Sequence, residues 1–411
     1  MRFVLEPERK TTVAASCDVL VAGGGIAGIA AAMAAARNGA KVILVEREYT
    51  LGGMATLGLV TIYLPLCDGE GKQLIYGIGE ELLKLSITHG AEAMYPKAWL
   101  ESGTPEERRQ FRYLAQFNPH LFTLEAEKCL LELGVTLLYG TLVCAVSMQD
   151  KTISEVIVEN KSGRSAIEVG SVVDCTGDAD VFHLAGAKTV LHKNGNGLAS
   201  WYYYFTGGKV QLKMFGLADV VTEKQPETAK ESVRDDTQYN NEVVVSLDRN
   251  FRFSGVDGTE LSRAVTAAHQ IMYKDILEAK AADESYVPVT ISTIPLVRMS
   301  RRIAGEKTPD VTSDRKYVED SIGMTGDWRK RGPAFELPYG ALWGKDVKNL
   351  IAAGRNISVT DEMWDITRVI PPCAVTGEAA GTAAAMCADF ALLDVKKLQD
   401  KLSAQGVKLH L

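Results

Sequence analysis

Several features common in other protein classes are missing from this sequence. Its seven cysteines, at 17, 67, 129, 144, 175, 373 and 387, include no CxxC pair. That leaves no signal for a zinc site, an iron–sulfur cluster or a thioredoxin-like disulfide, and it predicts reduced, mostly buried thiols and no metal. A basic excess is also lacking, since 45 Lys and Arg face 52 Asp and Glu for a net charge of -7. Nucleic acid and anionic membrane surfaces are therefore not expected partners. The most apolar helix candidates, 26–36 and 374–393, are respectively too short and interrupted by Glu378 and Asp389, so no membrane span is expected. The opening stretch MRFVLEPERKTTVAAS has no apolar core of signal-peptide length, which leads to the expectation of a cytoplasmic protein. No internal repeat or low-complexity tract is visible, and the most polar stretch, 222–242, reads as a solvated loop. What remains, at 411 residues with 46% hydrophobic and 24% charged, is an ordinary globular chain of two or three domains with a small-molecule partner.

Glycine, by contrast, is concentrated at informative places. In VAGGGIAGIAAAMAAARNGAKVILVE, the apolar run CDVLVA reads as a buried strand, Ile26 to Asn38 as a helix stopped by Gly39, and KVILVE as a second strand. This strand–helix–strand unit carries its glycines at the first turn, as a dinucleotide-binding fold requires. Gly23 allows the tight turn, Gly25 lets backbone approach a pyrophosphate at the helix start, and Gly28 allows close helix–strand packing. Glu46, closing the second strand, can hold a ribose hydroxyl pair, and its charge disfavours the 2'-phosphate of NADP.

FAD and NAD both present an ADP half to such a unit, and later segments favour FAD. The doublet Gly52–Gly53 just past the second strand is not needed by a single NAD domain. SVVDCTGDADV and NLIAAGRNIS give further apolar strands that end at Thr176–Gly177 and Gly354–Arg355, where such sheets bind ligands. RVIPPCAVTGEAAGTAAA then puts Pro371 and Pro372 at the start of a long helix, whose dipole and free N–H groups could face the pyrimidine end of a flavin.

With these segments in order, joined by LGGMATLGLV, CDGEGKQLIYGIGEELL, RMSRRIAGE and LPYGALWGKDVKNLIAAGRNIS, the chain resembles bacterial FAD-dependent oxidoreductases. Their flavin domain is like that of fumarate reductase and succinate dehydrogenase flavoproteins and of glutathione-reductase-type proteins. The resemblance covers most of the chain and is weakest over 195–282. It implies an α/β fold: a Rossmann-like FAD-binding domain, with a parallel sheet, helices and a small antiparallel sheet, and an inserted α+β cap. The flavin domain is expected from 1–85, 120–195 and 290–411, and the cap from 86–119 and 196–289. Also implied is extended, non-covalent FAD, with Gly23, Gly25, Ile26, Ala27 and Gly28 at the pyrophosphate and Glu46 and Arg47 at the adenosine ribose. Gly52, Gly53, Met54 and Ala55 are expected near the pyrophosphate and ribityl chain, and Val143 at the adenine. Thr176, Gly177, Gly354, Arg355, Arg368, Val369 and Ile370 would line the rest of the cofactor.

Substrate-side candidates follow from chemistry and position. Arg298, Arg301 and Arg302 carry guanidinium forks suited to a carboxylate or to phosphates, although a salt-bridge cluster with Glu306 would use them equally well. Asp361, Glu362 and Asp365 lie beside Trp364, between the Gly354 turn and the Pro371 helix, so one could act as a base. Trp201, Tyr203 and Phe205 alternate with Tyr202 and Tyr204 as on a strand, and one face could wall the flavin. His183 and Cys373 have structural roles as their simpler readings. The function expected is hydride transfer between FAD and a small organic substrate, with NADH or a protein as electron partner. The alternatives are a non-redox hydratase or isomerase and a flavin-dependent RNA-modifying protein or complex subunit.

Overall fold

The computed structural model describes residues 3–5, 8–216 and 251–411. The polar stretch expected to be a solvated loop lies outside these residues. The central sheet is built on the strand Val13–Ala22, flanked by Val42–Val45 and then Thr136–Leu138 on one side and by Gly163–Asp174 on the other. These pairs are all parallel. The Gly163–Asp174 strand changes neighbour along its length. Its first half pairs antiparallel with Thr152–Asn160, itself paired with Leu142–Gln149, while residues 172–174 pair parallel with Leu350–Ala352. A parallel core with an antiparallel meander thus grows from one long strand, and the fold is α/β as the resemblance implies.

The branched runs of the central strands are buried, as is usual for a parallel sheet covered by helices. The helices Ile26–Arg37 and Ile370–Met386 lie side by side and run in the same direction. Residues Ala27 and Ala31 of the first face Gly377 and Gly381 of the second. A Cβ added at Gly377 or Gly381 would lie 2.3 or 2.1 Å from the carbonyl oxygens of Ala27 and Ala31. Bare backbone at these two positions is what lets the helices touch.

Residues 200–216 and 251–291 add a smaller layer. Ser200–Thr206 forms the centre of an antiparallel sheet between Lys209–Phe215 and Val287–Ile291. Gly207 and Gly208, with φ of 55° and 79°, close the two-residue hairpin that requires positive φ at both positions. The helix Gly258–Ala282 packs on this sheet through Met272, while its Ala264 and Ala268 meet Leu198, Phe253 and Val297. Tyr202 donates to Asp275 and shares a hydrogen bond with the Tyr286 hydroxyl, while Lys213 reaches the same Asp275 at 2.6 Å. No helix among the described residues is long and apolar enough to cross a membrane.

Candidate active site

The parallel strands all end on the same edge, and the glycine turns gather there. At the first, Gly23 has φ +101°, and a Cβ on it would sit 2.6 Å from the Cys175 carbonyl oxygen. One on Gly28 would lie 1.8 Å from the Gly23 carbonyl oxygen. Protein packing therefore explains both residues. Gly25 differs, because no protein atom lies within 4 Å of where its Cβ would be. It is the residue before the Ile26–Arg37 helix and offers no side-chain cap, so the N–H groups of Ile26, Ala27 and Gly28 belong to an open helix start. The second turn leans on the first. Gly52 N–H donates to the Gly24 carbonyl at 2.8 Å, and a Cβ on Gly53 would lie 3.4 Å from Gly25 Cα. Met54 and Ala55 follow in a short 3-10 turn.

Glu46 is buried at 8% exposure. One carboxylate oxygen accepts from Gly24 N–H at 2.6 Å and the other from Glu48 N–H at 2.9 Å. Burial pushes its carboxyl up and these N–H groups oppose the shift. Each oxygen can accept again, so the group can brace the glycine turn and still receive ribose hydroxyls. Arg47 is exposed, 3.6 Å from Glu48. Thr141 N–H donates to the Glu46 carbonyl at 3.0 Å, which sets the strand of Val143 beside this corner.

The turn after Asp174 is held by charge. Asp174 is fully buried and accepts from Thr176 N–H and Oγ1, from the N–H groups of Val181 and Phe182, and from Asn356 Nδ2. Burial raises its carboxyl to about 6 against these donors. Asp178 accepts from Arg355 at 2.9 Å and from Ser300, while Arg301 donates to the Asp178 carbonyl at 2.8 Å and to Asp180 at 2.6 Å. Arg301 and Arg355 thus fasten the TGDAD turn. Arg298 donates to the Gly216 carbonyl at 3.0 Å. Glu306, considered as the partner of these arginines, pairs instead with Lys345 at 2.9 Å. Asp174, Asp178 and Asn356 had no sequence signal beyond their nearness to a glycine turn.

Gly354 has φ +91°, and its Cβ position lies 2.9 Å from Ala27 Cβ and 3.8 Å from Cys373 Sγ. The third turn therefore meets the starts of both long helices. Val369 caps Ile370–Met386 without a side-chain bond. Because Pro371 and Pro372 have no N–H, Ile370 is left as the donor there, where a set of free N–H groups had been expected. Cys373 is buried, which pushes its thiol up to about 12. Asp365, 1% exposed, accepts from Arg368 on one oxygen and from Arg329 at 3.3 Å on the other, and it serves as an anchor. Asp361 and Glu362 are exposed, and Asp361 lies 3.5 Å from His192 Nδ1. The Trp364 indole, fully buried, donates to the Arg355 carbonyl.

The aromatic strand is covered on both faces. Trp201 and Tyr203 pack with Leu59, Leu212, Met214 and Leu296, against which Met54 rests. Tyr202 faces the Gly258–Ala282 helix with Phe215, Met272 and Tyr286. Phe205 is 40% exposed, and His183 is exposed beyond the TGDAD turn. Among the described residues, no three His, Cys, Asp or Glu side chains are grouped to hold a metal ion.

A thioredoxin reductase of Ureaplasma parvum is 37% identical over 71 residues, which cover 17% of this chain and 23% of that protein. Among solved structures, a geranylgeranyl bacteriochlorophyll reductase-like protein of Thermoplasma acidophilum is 13% identical with a TM-score of 0.48, covering 95% of this chain and 84% of that one. An L-amino acid deaminase of Proteus vulgaris is 12% identical with a TM-score of 0.43, covering 97% and 99%. The cradle fits FAD: the open space before Gly25, two helix starts without side-chain caps and the acid at the second strand end are what a bound dinucleotide needs. The family profile for FAD-dependent oxidoreductases matches residues 18–402, and the chain belongs to that family.

Proposed function

We propose that the protein transfers a hydride between non-covalently bound FAD and a small organic substrate, the substrate lying between the sheet edge and the antiparallel sheet centred on Ser200–Thr206. The observation that carries this reading is the pairing of two parallel helices whose uncapped starts reach one sheet edge beside Gly354. When bound, FAD supplies the two-electron chemistry that side chains lack.

In this reading the N–H groups at Gly25, Ile26 and Ala27 hold the pyrophosphate and Glu46 the ribose, with Val143 near the adenine. Gly53, Met54 and Ala55 flank the chain beyond. Thr176, Gly177, Gly354, Arg355, Arg368, Val369 and Ile370 line the far half. The Asp365 pairing fixes Arg368 at the turn into the long helix. The positive end of that helix, with the Ile370 N–H, favours negative charge at its tip. Asp361, exposed and next to His192, is the acid placed to exchange a proton. The flavin domain comprises 1–85, 120–195 and 290–411.

The test is an anaerobic visible spectrum of the purified protein before and after NADH, then with candidate organic substrates. The flavin band should bleach with one of them, and acid precipitation should leave the flavin in solution. A protein that holds flavin yet stays oxidised with NADH and every substrate class rejects the hydride-transfer reading.

A further inference from the structure

The arginines of this region differ in one respect. Arg301, Arg355, Arg368 and Arg329 all have carboxylate or carbonyl acceptors. Arg302 is half-buried, yet no acceptor among the described residues takes a hydrogen bond from its guanidinium. Its Nε is sealed from solvent without a partner, and its guanidinium carbon lies 5.7 Å from the centre of the Trp364 ring. Burial disfavours its charged form, and the nearby Asp361 offsets part of that. The Asp361 carboxylate, however, is placed beside His192 at 3.5 Å. His192 in turn meets the Trp364 ring edge-on at 5.9 Å between centroids. A half-buried guanidinium on an aromatic platform, with no acceptor among the described residues for its outer N–H groups, is open to an acceptor carried by a ligand.

We infer that Arg302 is the docking point for a single oxyanion, a carboxylate or a phosphate, carried by the substrate. The inference rests on reading the Gly354–Ile370 region as the flavin edge, since Trp364 carries Arg302 on its ring and grips the Arg355 carbonyl with its Nε1. Alternation along Arg301–Ile303 sends neighbouring side chains to opposite faces, so Arg301 turns to Asp180 while Arg302 turns to Trp364. The guanidinium fork suits two oxygens of one group.

The FAD-loaded protein is titrated calorimetrically with benzoate and, separately, with inorganic phosphate, and its arginines are then mapped by phenylglyoxal labelling and mass spectrometry. Saturable binding of at least one anion is expected. At ten times its dissociation constant, that anion should slow labelling of Arg302 about tenfold while exposed Arg263 labels unchanged. Binding by benzoate alone identifies a carboxylate, by phosphate alone a phosphate, and by both a general oxyanion site. Arg302→Met should abolish the binding heat and Arg302→Lys should weaken it. Absence of saturable binding, an Arg302 that does not label, or labelling that neither anion slows would overturn the inference. The flavin band of the same sample separates the two ideas: flavin without protection rejects only the anion site, and loss of flavin rejects the reading beneath it.

Discussion

Replacing Gly25 with alanine separates what the protein needs from what its ligand needs. The Gly25 backbone has φ -67° and ψ -176°, which alanine adopts without strain, and the added methyl group meets no protein atom within 4 Å. Fewer unfolded conformations should stabilise the variant by about 0.4–1 kcal/mol, and the poorer helix cap should cost a similar amount. The FAD-free protein should therefore melt within a few degrees of the parent. The same methyl group occupies the approach to the N–H groups of Ile26 and Ala27. Losing one charge-assisted hydrogen bond, about 1.5–3 kcal/mol, should weaken FAD by roughly tenfold to somewhat over a hundredfold. Gly28→Ala makes the contrast, since its methyl group would lie 1.8 Å from the Gly23 carbonyl oxygen and should damage the fold itself. The assay is thermal melting of the apoprotein alongside flavin fluorescence quenching during FAD titration. If Gly25→Ala binds FAD as tightly as the parent, the pyrophosphate does not lie against this turn.

Three further outcomes are expected. Burial raises the Glu378 carboxyl from the ordinary 4.5 to about 8, so between these values the folded protein holds a proton that the unfolded chain has released. Stability should then fall as pH rises through that window. Glu378→Gln, whose amide oxygen can still accept from Ile78 N–H, should flatten the slope and melt higher than the parent at pH 8, as scanning calorimetry would show. Tyr202→Phe removes the hydroxyl joined to Asp275 and Tyr286 and should cost about 1–3 kcal/mol, with faster amide exchange confined to 200–215 and 258–291. Cys373, its thiol pushed up to about 12, should resist iodoacetamide at pH 8 in the folded protein and react once urea unfolds it, as peptide mapping would record.

The contrast between what the sequence revealed and what it concealed has a physical cause. Glycine turns are legible because each is a local steric requirement. Gly23 and Gly354 need positive φ, and both stand at the ends of apolar strands short enough to recognise. The strand that carries Trp201 to Phe205 is legible for a similar reason, as a period of two acts over a few residues. Charge partners obey no such locality. Arg355 meets Asp178 across 177 positions and Arg301 meets Asp180 across 121, so no spacing rule could say which arginine was already occupied. Asp365 looked like a base because it sits near the flavin segment, whereas Arg329 and Arg368 hold both its oxygens.

Arg301 and Arg302 show where the boundary falls. In a coil, two adjacent arginines are equivalent, and either could have been paired with Glu306. Pairing of Arg301–Ile303 with Thr189–Leu191 makes the segment a strand, and the two side chains must then part. One finds the acidic turn and is neutralised, while the other is left over an indole with no hydrogen-bond acceptor among the described residues. That pairing joins segments more than a hundred residues apart, and both arginines take their environments from it. A local pattern can therefore identify a residue able to bind an anion, but its availability depends on the tertiary contact that engages its neighbour.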